Sequence, residues 1–376
     1  MKIKVITRHS PSNYGSLLQS IATIKVLESL GHEVRIIDYQ REDERGMGIV
    51  RSQLKSKPQI VGLKNLIYTI VRYPVEQYAQ WKFDKMRKQW LKLTPRFETI
   101  AKLESLKADC FMTGSDQVWG PMMNGAYDPA YFLCFVNDST PKVAFAASFG
   151  KTKFDTATAE SYQTMLARYD KISVRESSAV NLINGFGLNN CIGQVLDPTL
   201  MLSRDEWINL LHLDEIKRKE EYILLYLIHG YAEHVVYAKE LAKKKGVKLL
   251  NVNPFAHRVF EGGTFVLCPE VKVFLSLIKN AKLILTDSFH GTCFSINMNT
   301  PFVELLPSNG TSTRNQSILE LTGLTDRIVT DYNDFDWDER PIDYEIVNKR
   351  LQRERENSFE KLKCLLKIGK DESTSN

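Results

Sequence analysis

The sequence predicts an α/β protein of two Rossmann-like domains facing a cleft, with a helical insertion in the first domain. Three observations predict it. Apolar runs of strand length alternate with helix-patterned stretches from the N-terminus, and the alternation restarts after residue 220. A basic, aromatic stretch of helical pattern interrupts the first series at about residues 41–96. At 376 residues the chain has length for two ordinary domains, divided as 1–205 and 220–340, followed by a C-terminal helix and frayed tail at 341–376.

The opening unit reads as strand Lys2–Thr7, a polar loop to Gly15, helix Ser16–Leu30 and strand Val34–Tyr39, with Asp38 near its end. Leu17, Leu18, Ile21, Ile24 and Leu27 share one helical face, and Gly31 supplies the stop. In the insertion, Tyr68, Tyr73, Tyr78, Trp81, Phe83, Met86 and Trp90 fall among lysines and arginines. Short strands then follow at Cys110–Thr113, Lys142–Ala147 and Lys171–Val174, and a further one at Val195–Leu196 ends at Asp197.

The charged stretch Asp214–Glu221 leads into the second series, strand Tyr222–Ile228, helix Ala232–Lys245 stopped by Gly246, and strand Val247–Val252. Helix Glu270–Asn280, strand Lys282–Thr286, a helix near Thr292 and strand Pro301–Leu305 complete it. Asp343–Leu366 is a long amphipathic helix, and Gly369–Asn376 reads as a frayed end. Open parallel sheets bind ligands at the C-terminal ends of their strands, so the loops there are where chemistry is sought.

Composition excludes several classes. With 50 basic and 45 acidic residues the net charge of +5 is too weak a bias for a nucleic-acid partner. The six cysteines are scattered singly, without CxxC spacing or a Cys/His cluster, which points to reduced thiols in the cytoplasm and to no metal site. The apolar N-terminal stretch is too short for a signal peptide, and there is no apolar run of about 18 residues. The expected location is cytoplasmic, with the inner face of the plasma membrane still open to it.

The loop Arg8 to Gly15 lies where dinucleotide folds keep a phosphate loop, but it holds a single glycine, Gly15, and lacks GxGxxG. Asp38 therefore carries little weight as a ribose reader. Asn13 either caps the following helix or meets a ligand. In Thr113-Gly114-Ser115-Asp116-Gln117-Val118-Trp119-Gly120, Asp116 can accept a proton from an attacking hydroxyl, while Ser115 and Gln117 can orient a sugar or phosphate. The competing reading makes Asp116 a turn former and Trp119 a core residue.

Arg175 stands at a strand end, where its guanidinium fork suits a carboxylate or phosphate; an internal pair with Glu176 or Asp197 is the alternative. Asp197, before Pro198, either shapes a turn or holds a cationic partner. The run Leu283 to Thr292 is the most informative, because an apolar strand delivers Asp287, Ser288 and His290 to a helix start, where free amides form an anion site. Gly291 permits close approach there, and an imidazole such as that of His290 is the side chain suited to proton transfer near neutrality. Arg314, at the start of another amphipathic helix, is a second anion clamp; a cation is unfavourable to the helix dipole at that end, which favours a ligand or acidic partner.

Five segments taken together, Asn13-Tyr14-Gly15-Ser16-Leu17-Leu18-Gln19, Gly114-Ser115-Asp116-Gln117-Val118-Trp119, Ser173-Val174-Arg175-Glu176, Asp197-Pro198-Thr199 and Asp287-Ser288-Phe289-His290-Gly291, resemble in order and spacing the polysaccharide pyruvyl transferase family. The resemblance spans about residues 3–325. It implies a glycosyltransferase-B-like fold, phosphoenolpyruvate as a donor co-substrate with no cofactor, and a sugar diol as acceptor, in capsule or exopolysaccharide synthesis. By likeness, Arg175 takes the place of the family's donor-binding arginine and His290 that of its catalytic histidine. Some branches carry Arg-Leu-His where this chain has Ser288-Phe289-His290, so an arginine contact to the donor is missing or comes from elsewhere, with Arg314 a candidate. A lipid-linked acceptor would give the basic aromatic insertion from Lys55 to Lys92 a membrane to face; a solvated helical hairpin packed on the first domain is the favoured alternative. A nucleotide-sugar glycosyltransferase and a non-catalytic anion- or glycan-binding protein are the rival functions.

Overall fold

The computed structural model describes residues 1–122, 125–216, 220–306, 312–337 and 340–367. The chain divides into two compact units, Met1–Met201 joined by the stretch from Glu354 onward, and Leu202–Arg353.

Unit 1 is built on a sheet of β1 (Lys2–Ile6), β2 (Glu33–Ile36), β3 (Cys110–Thr113), β4 (Lys142–Ala147), β5 (Lys171–Val174) and β6 (Cys191–Gln194). The strands run in the order β2-β1-β3-β4-β5-β6, all pairs parallel. Its helices are α1 (Tyr14–Ser29), α2 (Gly46–Lys55), α3 (Leu63–Trp90), α4 (Ile100–Leu103), α5 (Thr156–Leu166), α6 (Ser177–Gly185) and α7 (Pro198–Met201). Central strands covered on both faces must be apolar along their length. Accordingly β3 and β4 are buried at every residue.

Unit 2 contains α8 (Arg204–Leu211), β7 (Tyr222–Tyr226), α9 (Ala232–Lys245), β8 (Lys248–Asn253), β9 (Thr264–Leu267), α10 (Val271–Lys279), β10 (Leu283–Thr286), α11 (Phe289–Met298), β11 (Phe302–Glu304) and α12 (Thr313–Thr322). Its sheet has the order β11-β10-β7-β8-β9, again all parallel. The last helix, α13 (Tyr344–Leu366), carries the chain back, and its residues from Glu354 on belong to unit 1. There Lys361 Nζ donates to Gln194 O at 2.9 Å and Arg355 Nε to Leu200 O at 2.7 Å, which fastens the helix to the β6 edge.

Some expected boundaries move, for identifiable reasons. Thr7 leaves β1 because its hydroxyl donates to Ser115 O at 2.7 Å and accepts from Gln19 Nε2 at 2.9 Å. The strand expected at Val195–Leu196 lies instead at Cys191–Gln194. Val195 N still reaches Val174 O at 2.8 Å, but Leu196 N is taken by Ser358 Oγ at 2.9 Å, which ends the ladder. Strand β9 was not foreseen; its four residues follow β8 through a 3-10 turn at Ala256–Glu261 rather than through an α-helix. Gly369–Asn376, expected to fray, and part of Asp214–Glu221 lie outside the described residues.

The insertion forms α2 and α3, packed on each other through Gln53, whose side chain accepts from Tyr68 Oη at 3.0 Å and Arg72 Nε at 3.1 Å and donates to Glu76 Oε1 at 2.8 Å. The C-terminal half of α3 buries Ala79, Phe83 and Met86 in unit 1, with Phe83 5.0 Å from the Tyr14 ring. Its Arg87 donates to three successive carbonyls of the first loop, His9 O at 3.3 Å, Ser10 O at 2.8 Å and Pro11 O at 3.3 Å. Arg87 thereby adds a donor to carbonyls of a loop whose internal pairing is sparse, and ties the loop to α3.

Candidate active site

At the C-terminal edge of the unit 1 sheet, Asn13 caps α1, its Oδ1 accepting from Gly15 N at 2.7 Å and Ser16 N at 3.2 Å. Gly15 is a buried first-turn residue of that helix. Ser16 Oγ donates to Asp116 Oδ2 at 2.9 Å, and the other Asp116 oxygen accepts from Gln117 N at 2.8 Å. Asp116 sits at φ 77, a left-handed conformation that costs most residues energy but that Asp tolerates. Its side chain is half-buried beyond the end of β3, and its backbone bridges to Ala147, the last residue of β4. Gln117 lies over Gly150, whose φ is 66 and where a Cβ would come 2.4 Å from the Gln117 amide nitrogen.

Ser115, Arg175 and Asp197 form one buried cluster. Asp197 Oδ2 accepts from Ser115 Oγ at 2.8 Å and Arg175 Nη1 at 2.9 Å; its Oδ1 accepts from Thr199 N at 2.9 Å and Thr199 Oγ1 at 2.7 Å. Glu176 approaches Arg175 Nε at 3.8 Å and itself accepts from Ser148 Oγ at 2.6 Å. Burial works against the Arg175 charge, but the Asp197, Glu176 and Asp116 carboxylates outweigh it and raise its pKa. Of the two readings of Arg175, the internal pair with Asp197 is therefore present.

Arg8, which sequence reasoning took only as part of the loop, joins this edge. Its Nη2 donates to Glu44 Oε1 at 2.9 Å, and Glu44 also receives Arg41 Nη2 at 3.0 Å and the Ser10 hydroxyl. Burial lowers the Arg8 pKa less than the Glu44, Tyr131 and Asp116 charges raise it. Its buried Nε has no hydrogen-bond partner among the described residues. Burial would raise the Glu44 carboxyl, yet Arg8, Arg41 and Ser10 hold it below the usual range. Nearby, Asp38 accepts from His9 Nε2 at 3.1 Å and from Arg96 Nε at 3.1 Å. A cavity of about 550 Å³ lies beside these groups, bordered by Tyr39, Arg41, Arg51, Ser52, Lys55 and Asp128.

In unit 2 the strand end of β10 passes directly into α11. Asp287 accepts from Ile228 N at 2.6 Å and His229 N at 3.0 Å, which ties the end of β7 to that of β10. Ser288 is the N-cap, its Oγ accepting from Gly291 N at 3.2 Å. His290 lies in the first turn, 8% exposed and edge-on to Phe289 with ring centroids 5.2 Å apart. Gly291 serves packing, since a Cβ there would stand 2.3 Å from Thr286 Oγ1 and 3.1 Å from the Tyr226 ring. Arg314, in the first turn of α12, places its guanidinium carbon 5.8 Å from the Phe289 ring centroid. Phe289 thus has His290 and Arg314 as neighbours at the N-terminus of α11. The segment preceding Arg314 begins at Thr311, which lies outside the described residues.

Below this turn is a group the sequence reading passed over. Glu304, on β11, is fully buried; Asn315 Nδ2 donates to its Oε1 at 2.6 Å, and its Oε2 meets the Thr292 hydroxyl. Burial is the main cause that pushes its carboxyl up to about 8. The signal available in sequence was an acid inside the apolar run Phe302 to Leu306. Among the described residues no group of three His, Cys, Asp or Glu is placed to hold a metal ion.

Two units, each built on a parallel sheet flanked by helices, define a glycosyltransferase-B-like fold. Solved structures of that architecture match nearly the full length of the chain. The Methanocaldococcus jannaschii UDP-GlcNAc 2-epimerase in complex with UDP-GlcNAc and UDP is 15% identical, with a TM-score of 0.51 over 98% of this chain and 100% of the other. Arabidopsis thaliana UGT89C1 complexed with UDP-L-rhamnose is 9% identical, with a TM-score of 0.50 over 96% and 97%. Identity at that level speaks for the fold alone. No curated protein sequence matches the chain significantly. The model of the family described as polysaccharide pyruvyl transferase matches residues 13–309. The chain belongs to that family, and is a carbohydrate-modifying transferase.

Proposed function

We propose that the protein transfers the pyruvyl group of phosphoenolpyruvate to a sugar diol as a ketal, in the synthesis of a capsular or extracellular polysaccharide. The observation that supports this most is the start of α11, where Ser288 caps the helix and His290 and Arg314 both approach the Phe289 ring. Phosphoenolpyruvate carries a carboxylate and a phosphate, and cationic forks with helix amides are the groups that bind such anions. Arg314 supplies the arginine contact that Ser288 cannot.

In the proposed reaction His290 gives a proton to the methylene carbon of the donor. The cationic centre formed at C2 is attacked by one sugar hydroxyl, phosphate leaves with its bonding electron pair, and the second hydroxyl attacks the resulting oxocarbenium. One hydroxyl proton passes through Asp116 to the departing phosphate and the other restores His290, so both residues end as they began and the products are the ketal and hydrogen phosphate. Asp116 is assigned as the base for a hydroxyl, and Arg175 as a donor-binding group held in place by Asp197.

Incubation with phosphoenolpyruvate and a panel of lipid-linked or nitrophenyl glycosides tests the reading, with phosphate release and a mass gain of one pyruvyl ketal as the expected result. His290→Ala should abolish phosphate release with the circular dichroism unchanged. Turnover of a nucleoside diphosphate sugar in place of phosphoenolpyruvate would establish the glycosyltransferase instead, and full activity of His290→Ala would remove the histidine from the mechanism.

A further inference from the structure

Helix α3 carries two apolar faces, and one is left exposed by the described residues. Ala79, Phe83 and Met86 are buried in unit 1. Leu63, Leu66, Ile67, Ile70 and Val71, with Val61 just before the helix, are 54–71% exposed. Their i, i+3, i+4, i+7 spacing is that of a single helical face. Exposed Pro74, Tyr78 and Trp81 extend the same stripe, the last two 39% and 50% exposed. From Leu63 to Trp81 this face is about 27 Å long. Isolated exposed apolar side chains are ordinary, but a contiguous stripe of eight is an interaction surface.

Its charge identifies the partner. Residues 51–92 hold ten Lys and Arg against two acids, a surplus of +8 in a chain whose total is only +5. Exposed Lys64, Lys85 and Lys88 lie on or beside the stripe. The two acids of α3 are turned to other work, Glu76 buried against Arg72 at 2.9 Å and Asp84 against Arg87 at 2.7 Å. Lys85 Nζ stands 3.8 Å from the Trp81 ring centroid, an arrangement of cation and amphipathic ring suited to a lipid headgroup layer. A second copy of the chain would bring like charge to like charge, whereas an anionic bilayer complements both the charge and the apolar face. No described helix is long and apolar enough to cross a membrane, so the helix would lie along the surface.

We infer that α3 docks the protein on anionic phospholipid membranes, its Leu63–Trp81 face entering the headgroup layer and its lysines meeting phosphate. The inference does not depend on which donor the enzyme uses. The test is flotation of the full chain with phosphatidylcholine vesicles, with and without phosphatidylglycerol. The wild type should float with the anionic vesicles and be released by high salt. Ile67→Asp/Ile70→Asp should lose binding roughly tenfold or more, and Lys64→Glu/Lys85→Glu/Lys88→Glu should lose the preference for anionic lipid, with unchanged thermal unfolding in both. Absence of wild-type flotation, or flotation indifferent to the aspartates, would overturn the inference. So would self-association in sedimentation velocity that Ile67→Asp/Ile70→Asp abolishes, because the stripe would then be an interface between copies.

Discussion

Replacing Glu304 by Gln should stabilise the protein at neutral and higher pH, against the usual expectation for a buried, hydrogen-bonded side chain. The Thr292 hydroxyl lies 3.1 Å from Ser288 O and also contacts Glu304 Oε2, yet it has one hydrogen to give. A protonated Glu304 resolves the conflict by donating to Thr292 Oγ1, leaving that hydroxyl to donate to Ser288 O. Burial pushes the carboxyl up to about 8, Asp287 adds to it, and the Thr292 and Asn315 hydrogen bonds only partly oppose. The folded pKa lies above the unfolded value of 4.5, so the stabilisation is complete below the unfolded value and is lost as pH rises towards the folded one. Across that window the loss runs at about 1.4 kcal/mol per pH unit, reaching several kcal/mol. Glutamine keeps the shape and the donated hydrogen at every pH. Urea unfolding of both proteins should show a gap in favour of Glu304→Gln that widens between about pH 5 and about pH 8. A variant less stable than wild type by the same amount throughout would mean that Glu304 is ionised in the fold, and the argument would fail.

Gly291→Ala should lower stability by about 1–3 kcal/mol, read as a drop in Tm, because its Cβ meets Thr286 Oγ1 at 2.3 Å and α11 must move off the sheet. Arg87→Ala removes the charge-assisted bonding of Nη1, whose two hydrogens are shared among three loop carbonyls and are worth about 1.5–3 kcal/mol per full bond in other proteins, and should raise amide exchange across residues 8–13 before it affects the sheet. For Asp116→Asn, loss of a general base predicts a fall in turnover of about 10²–10⁴-fold with binding of phosphoenolpyruvate retained; near-normal turnover would reduce Asp116 to an acceptor for Ser16 and Gln117.

How much of this was legible in the sequence follows the range of the interaction involved. Helix α9 was read to the residue because its start and its Gly246 stop are local, with φ 63 at that glycine. Strands β7 and β10, Tyr222–Tyr226 and Leu283–Thr286, were legible as apolar runs bounded by polar loops. Strand β9 was missed, since Thr264–Leu267 is four residues long and no α-helix announces it. Asn13 was left between cap and ligand contact, and only the placement of Gly15 N and Ser16 N settles that its oxygen caps α1. Arg87 supports a loop more than seventy residues away in sequence, and Arg8 is held by Glu44 from the insertion. No local pattern encodes such pairs.

The motif residues themselves divide by where their polar atoms go. Asp197 accepts from Ser115, Arg175 and Thr199, which fixes the ends of β3 and β5 to each other. Asp287 accepts two amides from the β7 end and fixes it to β10. In each unit a buried carboxylate shortly after a strand thus immobilises the strand ends from which the candidate side chains project. A charge placed there is costly unless fully paired, and pairing it demands the neighbouring segments in one arrangement. That requirement accounts for motifs several residues long around few reacting groups. Ser115, Asp197 and Asp287 hold the frame, while Asp116, His290 and Arg314 are the candidates for contact with substrate, and rigidity in the first set is what makes geometry in the second reproducible.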